Sequence, residues 1–208
     1  MVNTGTRSTD PTQAAAATET ISDPAPLGLA GFAATTLVLS FVNTGIVNST
    51  VAFAVLPLAL FYGGLGQFLA GMWEFRRGNT FGSTAFSTYG AFWMAFAFYE
   101  WFFASHVAAS SAGAATGLFL LVFAVVTCYL AVAALRTTGA VFAVFVLLAL
   151  TFIALTIGAM AGSSALDKIG GWIGVATAIV AFYASFAGVL NSTFKRVMLP
   201  VWPLNVAG

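Results

Sequence analysis

Long uncharged apolar runs alternate with short polar breaks along almost the whole of this chain. Charge, Gly, Asn and Ser punctuate six runs, near Leu27–Val47, Ala52–Trp73, Thr84–Phe103, Ala112–Leu135, Ala140–Ala161 and Gly171–Phe194. Each is close to the ~20 residues that a helix needs to cross a hydrocarbon core about 30 Å thick. A transmembrane β-barrel would instead show alternating segments of about ten residues. The pattern predicts an all-α membrane protein with six transmembrane helices joined by short loops. The break at Asn48–Val51 carries no charge, so the first hairpin is the least sharply marked.

The runs divide the chain simply. Met1–Ser22 is polar, rich in Thr and Ala, and has no apolar core. It is expected to be a disordered cytoplasmic tail rather than a signal peptide. Residues 23–194 are expected to form one six-helix transmembrane domain, and residues 195–208 a short cytoplasmic C-terminal tail. That division leaves no room for a soluble catalytic domain.

Charge sharpens the picture. From Leu27 to Phe194 only seven residues are charged: Glu74, Arg76, Arg77, Glu100, Arg136, Asp167 and Lys168. A soluble domain carries roughly a quarter charged residues; this chain carries 6%, with mean hydropathy +0.98. A cytoplasmic N-terminus would place Arg7, Arg76, Arg77, Arg136, Lys195 and Arg196 inside and only Lys168 outside. Positive residues collect on the cytoplasmic side. The expectation is therefore a multi-pass protein of the plasma (cytoplasmic) membrane with both termini cytoplasmic.

Little reactive chemistry is available. A zinc site needs three or four His, Cys or carboxylate ligands, whereas the chain has one histidine, His106, and one cysteine, Cys128. No strand-turn-helix Gly-x-Ser-x-Gly elbow is present. No lysine lies mid-helix for a retinal Schiff base, and one histidine cannot form a twin-histidine ammonia pore. No enzyme activity, metal, cofactor or nucleic-acid partner is expected. His106 reads as a solvated loop residue and Cys128 as a small buried hydrophobe.

Small residues and neutral polar groups populate the helices. Gly113-x3-Gly117, Gly158-x3-Gly162 and Gly170-x3-Gly174 are close-packing patterns, and Pro57 is expected to kink its helix. In the first helix Thr36, Leu39 and Asn43 follow Phe32 at +4, +7 and +11, with Thr35 beside them. Such a face suits a narrow path for a small polar solute, and interhelical hydrogen bonding explains it equally well. Gln67 is a buried amide in the second helix. The third carries Thr84, Thr88 and Tyr89, with Glu100 at +11 from Tyr89, and the fifth carries Thr151 and Thr156. Of the helix-flanking carboxylates, Glu74 beside Arg76 and Arg77 reads as an ion-pair member. Glu100 is the better candidate to carry a proton.

Two segments carry a family resemblance. Asp23-Pro24-Ala25-Pro26-Leu27-Gly28-Leu29, followed by Ala30-Gly31-Phe32, resembles the Asn-Pro-Ala-Pro-Leu-Gly-Leu signature of the acetate uptake transporter family. That family is also called GPR/FUN34/YaaH or succinate-acetate permease. Phe61-Tyr62-Gly63-Gly64, Gln67, the stretch Glu74–Gly82 and the stretch Thr84–Trp93 are similar to its second and third helices. Ala161-Gly162 and Gly170–Gly174 fit its fifth and sixth.

The resemblance implies a urea-channel-like homohexameric ring with a pore in each subunit. It also implies transport of acetate, with succinate or other short monocarboxylates in some members. It further implies a constriction of Phe32, Tyr89 and Leu148, with the signature at the cytoplasmic mouth. The polar residues read above, Thr35, Thr36, Asn43, Gln67, Thr84 and Thr88, are expected to line the path. The signature's Asn is Asp23 here. It serves equally as a helix cap, but beside an anion path its charge would repel acetate unless a basic neighbour neutralises it.

Overall fold

The computed structural model describes residues 21–204. Among them the chain forms helices α1 (Ala25–Thr44), α2 (Ser49–Arg76), α3 (Thr80–Phe98), α4 (Ala109–Ala134), α5 (Gly139–Ala161) and α6 (Ser164–Phe194). Five of these, all but α3, are long and apolar enough to cross a membrane.

Local sequence sets the ends. The Asn79 side chain accepts from Gly82 N at 3.1 Å to start α3, and Thr138 accepts from Val141 N at 3.2 Å to start α5. Gly45, at φ 77°, closes α1 in the left-handed conformation that glycine adopts without strain. The weakly marked first hairpin is a 3₁₀ turn, Ser49–Ala54, capped by Asn48. Pro57 then precedes a π turn, Phe61–Gly66, within α2. A second π turn, Tyr99–Phe103, extends α3. The sixth helix begins seven residues before the expected Gly171. Asp167 sits in its first turn, where the helix dipole favours an anion, and Lys168 lies over Gly45.

In the bundle α1 packs on α2 and α6, α6 on α5, α5 on α4, and α2 on α3. Gly113 and Gly117 of α4 lie against Ala159 and Met160 of α5; Gly174 of α6 lies against Ser40 of α1. Gly162 packs on nothing and instead ends α5 at φ 62°. The remaining gap, between α3 and α4, is filled by aromatic rings: Phe92 meets Phe119 at 5.7 Å and Phe123 at 4.7 Å. Cys128 is exposed on α4, not buried as the sequence suggested, on the same outward surface as Val125, Tyr129 and Val132. An apolar outer surface is the rule for a helix that meets lipid.

Both described chain ends lie at one end of the bundle. The segment after α6 folds back there. Asn191 holds Leu199, Tyr183 donates to Pro200 O at 2.6 Å, and Gly139 N donates to Trp202 O at 2.6 Å. The carbonyls of 201 and 202 thus satisfy the free N–H groups that begin α5. The expected N-terminal tail, apart from its last two residues, and positions 205–208 lie outside the described residues.

Candidate functional site

Three cavities follow one another through the bundle interior. The first, about 460 Å³, opens at the end that holds the chain termini. Its wall includes Leu29, Glu74, Asn79, Phe86, Arg136 and Phe145, with Pro203 of the folded-back segment at the rim. The second is only about 20 Å³ and lies among Leu29, Phe32, Gln67, Phe86, Tyr89 and Leu148, with Val144 and Phe145 beside them. That is room for about one water. The third, about 50 Å³, lies between Phe32 and Leu148 on one side and Phe96 on the other; Thr36, Ser40, Asn43 and Thr151 supply its polar wall. Neighbouring cavities share residues: Leu29, Ala85, Phe86 and Phe145 join the first to the second, and Phe32 and Leu148 join the second to the third. We call them vestibule, neck and outer chamber.

Helical period explains which residues reach this axis. On α1 the inward face is Leu29, Phe32, Thr36, Leu39 and Asn43, the face seen in the sequence. On α3 it is Ala85, Phe86, Tyr89, Phe92, Trp93 and Phe96, steps of three and four. On α5 it is Val144, Phe145, Leu148, Thr151, Phe152 and Leu155. The Phe32 and Tyr89 rings are 5.8 Å apart, and Tyr89 and Phe145 6.0 Å. Hence Phe32, Tyr89 and Leu148 meet around the neck, from three helices distant in sequence.

Several polar atoms along the axis are buried without a partner. Gln67 Oε1 lies at the neck, and Thr36 Oγ1 and Trp93 Nε1 border the outer chamber. Buried polar groups normally find hydrogen bonds. Thr35, Thr127, Thr151 and Thr177 do so by donating to carbonyls one turn back. Thr36 does not, so its hydroxyl remains available to a solute. Glu74, fully buried in the vestibule wall, accepts from Asn79 at 2.9 Å through Oε2 and leaves Oε1 unpaired.

Other expected lining residues fall elsewhere. Thr35 is sealed against Gly63 of α2 and donates to Gly31 O and Phe32 O. Thr84 and Thr88 precede Ala85 and Tyr89 by one residue, about 100° round the helix, and line none of the three cavities. Glu100 follows Phe96 of the Tyr89 face by one turn, at the start of the second π turn. It is exposed and lines none of the three cavities; it borders a further hollow with Ser49 and Phe53, which shares Phe96 with the outer chamber. His106 is exposed beyond it in a 3₁₀ turn, as expected. Phe145, Phe86 and Trp93 were missed because aromatic residues in an apolar run look like ordinary core.

A model of the GPR1/FUN34/yaaH family matches residues 5–206. The chain belongs to that family. Among its relatives, Ammonia transport outward protein 2 of Saccharomyces cerevisiae is 39% identical over 195 residues, covering 91% of this chain and 69% of that protein. The Succinate-acetate/proton symporter SatP of Escherichia coli K12 is 34% identical over 181 residues, covering 87% of this chain and 95% of SatP. The solved structure of the bacterial acetate channel SatP superposes with a TM-score of 0.80 at 34% identity, covering 88% of this chain and 99% of that one.

The Asp23–Leu29 segment surrounds the vestibule mouth rather than lying wholly inside it. Ala25 and Leu29 line the vestibule, Gly28 packs on Phe86, and Pro26 O accepts from Ser185 at 2.6 Å. Asp23 lies outside, in a surface hollow with Pro26, Leu27 and Ser192. Its Oδ1 accepts from Ala25 N at 3.1 Å and pairs with Arg77, which also stands 3.7 Å from Glu74. The glutamate is therefore an ion-pair member with Arg77, as expected. Asp23 shares that arginine with Glu74 and does not face the vestibule, so direct repulsion of a passing anion by Asp23 is removed from the account. Asp23→Asn should keep the bond from Ala25 N and change acetate flux less than twofold at both pH 5 and pH 7, because Asp23 lies outside the vestibule. Flux assays of the variant at the two pH values check this.

Proposed function

We propose that this chain moves acetate and related short carboxylates, succinate among them, along the vestibule, neck and outer chamber of each subunit. The supporting observation is the neck itself, a cavity of about 20 Å³ walled by Phe32, Tyr89 and Leu148 between two larger ones. Acetate has four heavy atoms and needs more room than one water, so the rings must yield as it passes. An apolar neck strips water from the solute and refuses bulky or multiply charged ones. No lysine or arginine lines neck or outer chamber. Weak contacts from Gln67, Thr36, Asn43 and the Trp93 indole let a solute enter without being trapped. Arg136 in the vestibule wall attracts anions toward the mouth.

The physical need for such a conduit follows from acid-base chemistry. A carboxylic acid with a pKa near that of a glutamate side chain is under about 1% neutral at pH 7, so passage through lipid alone is slow. Competition for labelled acetate uptake tests the substrate class. Propionate should compete and urea should not; ammonium competing in place of propionate would point to the solute named by the yeast relative.

The assembly proposed is a homohexamer in the plasma membrane, with six crossings per subunit and the vestibule end cytoplasmic. The exposed apolar faces of the helices and the cluster of Arg76, Arg77, Arg136, Lys195 and Arg196 at that end support this. In a Cys128→Ala background, a cysteine at Lys195 should react only from the cytoplasmic side. Native mass spectrometry giving only monomers would refute the ring.

A further inference from the structure

Tyr89 carries a hydroxyl at the narrowest point of the conduit, and the structure accounts for its proton. Tyr89 Oη and Thr127 Oγ1 are 2.9 Å apart. Thr127, on α4, also lies 2.6 Å from the carbonyl oxygen of Phe123. A threonine has a single hydroxyl hydrogen. Phe123 O can only accept, so that hydrogen goes to it. Thr127 is then the acceptor in its bond with Tyr89, and the tyrosine is the donor. The Tyr89 hydrogen is committed to α4 and is not offered to a solute.

This bond also bridges a thinly held seam. Elsewhere α3 meets α4 through aromatic edges, and among the described residues no other side-chain hydrogen bond joins the two helices. Thr127 is fully buried and lines none of the three cavities. We infer that Thr127 is a positioning residue for the neck: it anchors the Tyr89 ring so that its face, not its hydroxyl, meets the solute, and thereby sets the size cut-off. This rests on Phe32, Tyr89 and Leu148 being the neck.

The test is a selectivity cycle in proteoliposomes, reading the ratio of lactate to acetate uptake. Thr127→Val and Tyr89→Phe should each raise that ratio about threefold, the scale of one neutral hydrogen bond. The double variant should equal either single one, since both remove the same bond. Thr127→Ser keeps the hydroxyl and should behave as the parent. Tyr89→Phe leaves Thr127 bonded to Phe123 O; if Thr127→Val folds poorly, Thr127→Ala takes its place in both the single and the double variant. A Tyr89→Phe effect several times that of Thr127→Val, adding to it in the double variant, would mean that the hydroxyl touches the solute and would overturn the inference. So would a parental ratio in Tyr89→Phe and Thr127→Val while Phe32→Ala and Leu148→Ala raise it; in that case the neck reading survives. If none of the four shifts the ratio, the neck reading fails and takes this inference with it.

Discussion

Phe32→Ala should admit lactate and larger monocarboxylates more readily than the parent protein does, raising the lactate-to-acetate uptake ratio about tenfold, or ~1.4 kcal/mol of barrier. The ring packs 5.8 Å from Tyr89 and belongs to both the neck and the outer chamber. Removing it joins two cavities into one and widens the narrowest passage. Leu148→Ala, from the facing helix, should act in the same direction by less, because it removes fewer atoms. Stability should also fall in both, because each side chain is buried and its removal enlarges the void it borders. Unchanged size selectivity in both variants would place the constriction elsewhere.

Gly90→Ala should be among the most damaging single-methyl changes in the protein. A Cβ at Gly90 would stand 2.6 Å from Phe68 N and 2.8 Å from its Cα, and one at Gly71 would stand 2.6 Å from Ser87 N. These are backbone atoms, which cannot swing aside, so α2 and α3 must part. Phe68 and Gly90 adjoin Gln67 and Tyr89 in the chain, and separation of the helices would misplace both neck residues. Overpacking of this kind costs up to about 3 kcal/mol, or a fall of ~10 °C in the melting temperature measured in detergent. Gly66→Ala is the control. There the nearest atom to the added carbon is at 3.4 Å, an ordinary contact, and thermal stability should stay close to the parent. Equal melting temperatures for the two variants would contradict the close-packing argument.

How much was legible in advance depended on the kind of signal. Helix positions followed from apolar run length, because lipid leaves the backbone no other partner than itself. The α1 face was also legible: Phe32, Thr36, Leu39 and Asn43 obey one period, and the helix is regular throughout. Glu100 follows Phe96 on the Tyr89 face, as the period indicated, but only the packing shows that it borders a further hollow beyond the outer chamber. Thr35 and Thr36 are adjacent and chemically identical. Only tertiary packing decides that one is sealed against Gly63 while the other reaches the chamber. The partnership of Asp23 with Arg77 spans 54 positions, and no local pattern encodes it. The same holds for Thr127, which looks like any small polar residue in a membrane helix until Tyr89 is seen beside it.

Uptake of labelled acetate into proteoliposomes at pH 7, compared with protein-free liposomes of the same lipid, tests the central claim most directly. At that pH the neutral acid is under about 1% of the total, so leakage through lipid is small. The account predicts saturable uptake well above the protein-free rate, inhibited by propionate and not by urea. Uptake equal to that of protein-free liposomes, from protein shown to be folded and inserted, would contradict it.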